Sequence, residues 1–405
     1  MEVGAATETI RTTGDGELTA STPSALDRTF RIGGASLWQT LGWVVAFVAA
    51  AALRLPRLDG WALDAGEAAW AYDAWVLFRG QPPVTGEASP NAGALLVLLE
   101  GIVFFLFAAT DVTARLVPAL AGLALVALPL VFRAWVGGPA ALGMAGLAAL
   151  SPTLVYASRV VSAEIVVAAL ALGAVACLLR LADGRSPRGP AIGLGVIAGA
   201  AYAAGPSAVS VALTLGVGVV FAALVAPEGA IRRGLRALQR RDALAAFLLA
   251  SVVTAILCFT RFLSYPAGIA GAGETLAAWG RLLTESSGQP VQLFLLTLLI
   301  YEPIAVVFAV VAMVRDRGMQ GDAIALCAGW FAAAFAVWSF SAGRGPEHAV
   351  HVALPLVLLV GIGLGALLHE IAWGNVWRGV GGVLALLMLG IVVGLAAVGV
   401  LLTRI

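Results

Sequence analysis

The sequence predicts an all-α, polytopic membrane protein, and three observations carry that reading. Of its 405 residues, 61% are hydrophobic and only 12% charged, with a mean hydropathy of +0.98. No soluble domain can display that balance on its surface. Apolar stretches of about 20 residues recur along the chain, each long enough to cross a hydrocarbon core of roughly 30 Å as a helix. These stretches are continuously apolar rather than alternating, which fits helices and not the strands of a membrane barrel. They begin near Leu37, Asn91, Val112, Pro139, Val160, Pro190, Ser207, Asp242, Val291, Gly321, Ala349 and Gly379. The expectation is therefore about 11–13 transmembrane helices.

Residues 1–36 mix Thr, Gly, Ser, Glu and Pro without periodicity and read as a flexible tail. Residues 37–405 read as one transmembrane domain. The net charge of +1 gives no basis for nucleic acid as a partner, and every basic residue is Arg. Cys177, Cys258 and Cys327 stand singly in apolar runs, so they read as core thiols rather than metal or disulfide partners.

Topology follows from residues 231–241, whose five arginines should face the cytoplasm under the positive-inside rule. Arg180, Arg185, Arg188, Arg315, Arg317 and Arg378 fall on the same side. Arg28 and Arg31, next to the first helix, place the N-terminal tail there too, in a multi-pass protein of the plasma membrane. The opposite side then receives 54–90, 159–164, 261–290 and 341–348. One count does not close. Three oily segments lie between Asn91 and Arg159, yet two ends on one side require an even number of crossings. One of the three is re-entrant or surface-lying, or the three are two long helices.

The loop 54–90 holds Asp59, Asp64, Glu67 and Asp73 among Trp61, Trp70 and Trp75. From Trp61 to Phe78 the pattern is that of an amphipathic helix at the membrane surface, with the tryptophans in the interfacial belt, and Gly80, Pro82 and Pro83 stop it. Asp64 and Glu67, three apart, share one face of such a helix. That pair is either a solvated acidic face or a general base able to take a proton from an attacking hydroxyl. Arg159 and Glu164 flank the outer mouth of a helix, as a structural ion pair or as site charges. Glu100 lies inside an apolar run, where an ionisable group must face protein or water. Arg344, on a Gly-flanked loop, offers a fork of donors to a phosphate. His348 and His351 lack the further ligands a metal would want. Glu302, between Tyr301 and Pro303, reads as a helix-end charge.

Several stretches in order resemble a known family: TDVTARLVPALAGLALVALPLVF, LSPTLVYASRVVSAEI, FTRFLSYPAG, SGQPVQLFLLTLLIYEP and GPEHAVHVALPLVLLVGIGLG. From about Leu37 onward the chain resembles prokaryotic predicted membrane glycosyltransferases of the GT-C superfamily, related to protein O-mannosyltransferases and the aminoarabinose transferase of lipid A. The resemblance implies a sugar delivered on a polyprenyl phosphate and moved to a protein, lipid or glycan acceptor outside the cytoplasm. It implies a first-loop acid as base, here Asp64 with Glu67 beside it, and Arg344, His351 and Arg159 at the lipid phosphate. Glu164, Glu302 and Glu100 would support them. No metal and no separate cofactor is implied beyond the lipid-linked donor and membrane lipids. The first loop departs from the family. Gly66-Glu67-Ala68 replaces Asp-Glu-Ala, Trp70 replaces His, and Ala92-Gly93-Ala94 replaces His-Gly-Pro. A catalytically silent relative serving glycan assembly, and a secondary transporter, are the competing classes.

Overall fold

The computed structural model describes residues 31–32, 35–81, 93–184, 186–315 and 321–370. The expected segment from Gly379, and Arg185, Arg317 and Arg378, lie outside the described residues. The chain divides into two units, 1–40 with 371–405, and 41–370. In the first, Arg31–Ile32 (β1) and Ala35–Ser36 (β2) form a two-residue antiparallel ladder. The rest of the expected tail is outside the described residues. Every candidate site residue falls in the second unit.

The secondary structure described in that unit is all helical. The first helix, α1 (Leu37–Arg54), leads to α2 (Ala65–Phe78) and α3 (Ala94–Phe107). Three helices, α4 (Asp111–Ala114), α5 (Leu116–Ala127) and α6 (Pro129–Val136), form one apolar run of 26 residues. Then come α7 (Gly138–Leu150), the short α8 (Pro152–Ala157), α9 (Glu164–Ala182), α10 (Arg188–Ala204) and α11 (Ser207–Val225). A short helix, α12 (Ala230–Leu238), carries Arg232, Arg233 and Arg236, and α13 (Arg241–Phe259) and α14 (Ala270–Thr284) follow. The series closes with α15 (Leu293–Tyr301), α16 (Pro303–Arg315), α17 (Gly321–Phe340) and α18 (Ala349–Glu370). Among the described residues, six helical runs are long and apolar enough to cross a membrane by themselves, and the chain is a multi-pass membrane protein.

The uneven crossing count is resolved by α3. Its N-terminal Gly93 lies against Trp70 of α2, and just past its C-terminus the Ala108 carbonyl accepts the Thr113 hydroxyl at 2.8 Å, two residues before Arg115. Between those points Leu98 packs with Ala203 and Phe259, in the last turns of α10 and α13. So α3 begins and ends at one face and lies across it. Arg180, Arg188, Arg241 and Arg315 stand at helix ends on the other face, with α12. Arg188 pairs there with Asp242 at 3.5 Å.

Lipid is as apolar as a leucine side chain, so helices in a membrane associate by close packing rather than by hydrophobic burial. The innermost helix shows it. The stretch Pro346–Gly365 is 89% buried, against 17% for Arg241–Phe259, which presents Leu248, Leu249 and Val252 outward. On the buried helix α18, Gly361 and Gly365 meet Met144 and Ala140 of α7. A Cβ on Gly361 would come within 2.4 Å of the Met144 backbone. Gly361→Val should therefore lower unfolding stability in detergent by about 1–3 kcal/mol. Gly146→Ala, on the open side of α7, should leave the melting temperature unchanged.

Candidate functional site

The acids of the first loop occupy different roles in α2. Asp64 is its N-cap: Oδ1 accepts the Glu67 N–H at 2.8 Å, and Glu67 Oε2 accepts the Asp64 N–H at 3.2 Å. The three-residue spacing is thus the spacing of a capping box rather than of two groups along a helix face. The helix starts at Ala65, later than the pattern from Trp61 suggested, because the cap is Asp64. Asp64 remains exposed, and its Oδ2 takes no hydrogen bond among the described residues.

Glu67 faces inward and is 3% exposed. The Arg115 fork grips it through Nε to Oε1 at 2.9 Å and Nη2 to Oε2 at 2.6 Å. The Val161 N–H donates to Oε1 at 2.8 Å. Burial alone would raise this carboxyl. The hydrogen bonds from Arg115, Val161 and Asp64, with the Arg115 charge, outweigh it and hold the group below the usual carboxylate range. Arg115, fully buried, spends its remaining Nη1 on the Leu58 and Trp61 carbonyls at 2.6 and 2.9 Å. It was not singled out from the sequence. The available signal was a lone Arg in an apolar run, which lipid does not tolerate unless it is answered inside the protein.

Arg159 lies beside this pair but does not meet Glu164. Its two terminal nitrogens donate to the Leu53 and Arg57 carbonyls, each at 3.0 Å. Burial and the Arg115 charge lower its guanidinium pKa. The Trp61 ring takes both cations, with Arg115 and Arg159 at 5.2 and 5.3 Å from its centroid. Trp61 is therefore a packing element between two arginines as well as an interfacial ring. Arg54, fully buried and also unsuspected from sequence, donates to the Ala148 and Ala149 carbonyls at 2.7 and 2.9 Å and to Ser158 Oγ at 3.2 Å. It closes the C-terminus of α7. A side chain on Gly122 would strike Ser158 Oγ at 2.1 Å, so that glycine makes room for the contact.

Glu164 and His351 come together, with His351 Nε2 and Glu164 Oε2 at 2.5 Å. His348 Nε2 lies 4.0 Å from the other Glu164 oxygen, and its Nδ1 accepts the Gly345 N–H at 3.2 Å. Both imidazoles stack on Trp338, at centroid distances of 4.3 and 5.4 Å. Glu302 separates α15 from α16, yet its carboxylate serves another helix. It accepts the Ser151 hydroxyl and the Thr153 N–H, so it caps α8.

Arg344 lies on a loop tied to the end of α14. Its Nε donates to the Ser339 carbonyl at 3.0 Å and Nη1 to the Gln289 carbonyl at 2.6 Å, while Nη2 has no partner among the described residues. Glu100 is fully buried in α3, and neither of its oxygens has a hydrogen-bond partner. No Arg among the described residues bonds to it. On the opposite side of α2, burial pushes Asp73 up to about 6, partly countered by the Arg261 charge. Arg261, Phe262 and Leu263 all have φ between 50° and 68°, a strained run of left-handed residues after α13.

No family profile and no curated protein matches the sequence. Solved structures do match. ArnT from Cupriavidus metallidurans, bound to undecaprenyl phosphate, superposes with a TM-score of 0.61 at 23% identity, over 82% of this chain and 62% of that one. The archaeal oligosaccharyltransferase AglB from Archaeoglobus fulgidus, in complex with an inhibitory peptide and a dolichol-phosphate, gives 0.59 at 11% identity, over 84% and 52%. Both are GT-C superfamily membrane glycosyltransferases. This chain has the GT-C fold. It spans less than two thirds of the length of either structure.

Within the GT-C fold of this chain, segment 148–164 links the separate groups. It meets Arg54 at 148, 149 and 158, Glu302 at 151 and 153, Glu67 at 161 and His351 at 164. Breaking a buried ion pair by removing one partner strands the other, so Arg115→Ala should cost about 3–5 kcal/mol in detergent unfolding. The pH dependence has a definite sign. The Glu67 carboxyl is lowered in the folded state, so its contribution is present above the ordinary glutamate range near 4.3. It is lost as pH falls through the folded value. Glu67→Gln should flatten that acid limb in a pH series of melting curves.

Proposed function

We propose that this protein is a membrane glycosyltransferase that moves a sugar from a polyprenyl-phosphate donor to an acceptor on the face opposite the arginine-rich helix ends. The positive-inside rule makes that the extracytoplasmic face of the plasma membrane, with the N-terminus cytoplasmic. One observation carries the reading. On a fold shared with proteins whose structures hold undecaprenyl phosphate and a dolichol-phosphate, an exposed carboxylate is fixed at a helix cap by a buried acid–arginine pair.

In this reading Asp64 is the base. Its Oδ2 takes the proton of the acceptor hydroxyl, whose oxygen attacks the anomeric carbon while the bond from that carbon to the lipid phosphate oxygen breaks. The departing lipid phosphate carries the electron pair. Arg344 receives it through Nη2, and the Glu164–His351 pair lies in the same group of loops. Glu67 already accepts from Arg115, Val161 and Asp64 and is a positioning residue, as is Arg159, whose donors hold the end of α1.

A second reading, a silent relative that retains lipid for a glycan-assembly complex, is favoured by one feature. Trp70 stands where the family keeps His, and its ring lies so close to Gly93 that a Cβ there would come within 1.8 Å of it. The reaction assay separates the two. Asn caps helices as well as Asp does, so Asp64→Asn should keep the wild-type melting temperature. It should lower transfer from polyprenyl-phosphate sugars by at least about 100-fold, the scale of a lost general base. Full transfer by Asp64→Asn overturns the choice of base. Wild-type protein that copurifies with a polyprenyl lipid but turns over no donor establishes the silent relative.

A further inference from the structure

Away from the carboxylate face, the arginine-bearing ends of α6, α9 and α12, with Asp322 at the start of α17, border an open cavity of about 680 Å³, within the usual range for a small-molecule site. Arg133, Arg180, Arg233, Asp183 and Asp322 all line it, yet no two of them form an ion pair. Asp322 spends its carboxylate on Trp135 Nε1 at 3.2 Å and on the Ile231 N–H at 3.4 Å. Arg233 donates to the Glu228 carbonyl, whereas the Arg133 and Arg180 guanidinium groups hold no hydrogen bond or ion pair among the described residues.

The two helices that carry these free cations show the same order of side chains. On α6, Leu130 precedes Arg133 by one turn, and on α9, Ala176 precedes Arg180 by one turn. Residues three and four apart share a helix face, so each helix presents an apolar step and then a cation on the cavity wall. Leu130 and Val131 both line the cavity and are each 40% exposed. Exposed apolar side chains thus stand beside the cations on the cavity wall, with Trp135, a residue type enriched at the membrane interface, next to them.

We propose that this cavity holds the phosphate headgroup of an anionic phospholipid from the leaflet on the arginine-rich face, with Arg133 and Arg180 on the phosphate and the upper acyl chains along Leu130 and Ala176. The site is independent of sugar transfer, and its ligand enters sideways from the bilayer. Juxtamembrane arginines attract anionic headgroups through charge, and the planar fork of Arg matches phosphate oxygens two at a time.

The experiment uses the full chain in phosphatidylcholine nanodiscs doped with phosphatidylglycerol, and native mass spectrometry after detergent release reads which lipid is retained. Wild type should retain phosphatidylglycerol in preference to phosphatidylcholine. Arg133→Gln with Arg180→Gln, both exposed positions, should reduce that preference by about thirtyfold, the combined worth of two interfacial arginines. Ala134→Trp, which fills the cavity mouth with every arginine retained, should abolish it as well. Arg281→Gln, at the exposed end of α14 on the other face, should leave it intact. Equal retention of the two lipids by wild type overturns the proposal. So does a preference that survives Ala134→Trp, because general surface charge would then suffice. Inorganic phosphate that raises the melting temperature through Arg133 and Arg180, without retained phosphatidylglycerol, assigns the site to a free phosphate and overturns the lipid.

Discussion

Ionisable groups inside a lipid-embedded protein must be answered by other protein groups, because water cannot reach them and neutral hydrocarbon will not. The Glu67–Arg115 pair is where this requirement shapes the most structure. Glu67 takes donors from α2, from Arg115 and from the turn before α9, and Arg115 returns the loop after α1 to the bundle through the Leu58 and Trp61 carbonyls. One bidentate contact therefore joins the first loop, α4–α5 and segment 148–164. Arg54 and Glu302 extend the same logic, since each closes backbone groups at a helix end that lipid would leave bare.

Those contacts explain why so short a segment as α8 can sit between two long helices. Its N-terminus is capped by Glu302 and Ser151, and Ser158 at its end bonds to Arg54. The turn that follows delivers Val161 to Glu67 and Glu164 to His351. Around this spine the helices pack through small residues, with α18 enclosed and its Gly361 and Gly365 against α7. The carboxylate face gains rigidity from this arrangement, and Asp64 can be exposed and still fixed because the residue three positions on is locked in the interior.

The two faces of the bundle use arginine differently. On the carboxylate face Arg54, Arg115 and Arg159 are consumed by carbonyls and by Glu67, and even Arg344 spends most of its fork on backbone. On the other face Arg133 and Arg180 border a cavity and stay unspent. Cations committed to backbone hold a shape, while cations without partners are available to a ligand. That division could not be seen by counting arginines, since both faces carry them in similar sequence settings.

The class of this protein was determined by composition and by run length, because only a helix lets about 20 apolar residues satisfy their own backbone inside lipid. Arginine placement likewise identified the helix ends that cluster with α12, since charge at those ends depends on local sequence. The motif order from the first loop to GPEHAVH also pointed to the fold that the solved structures share. Tertiary structure decided what local pattern could not. An i to i+3 pair of acids fits both a helix face and a capping box, and only the position of Arg115, 48 residues on, turned Glu67 inward and left Asp64 outside. A 14-residue apolar helix fits both a crossing and a surface segment, and only the neighbours at its two ends laid α3 across one face. These choices rest on partners far apart in the chain, where sequence spacing carries no distance.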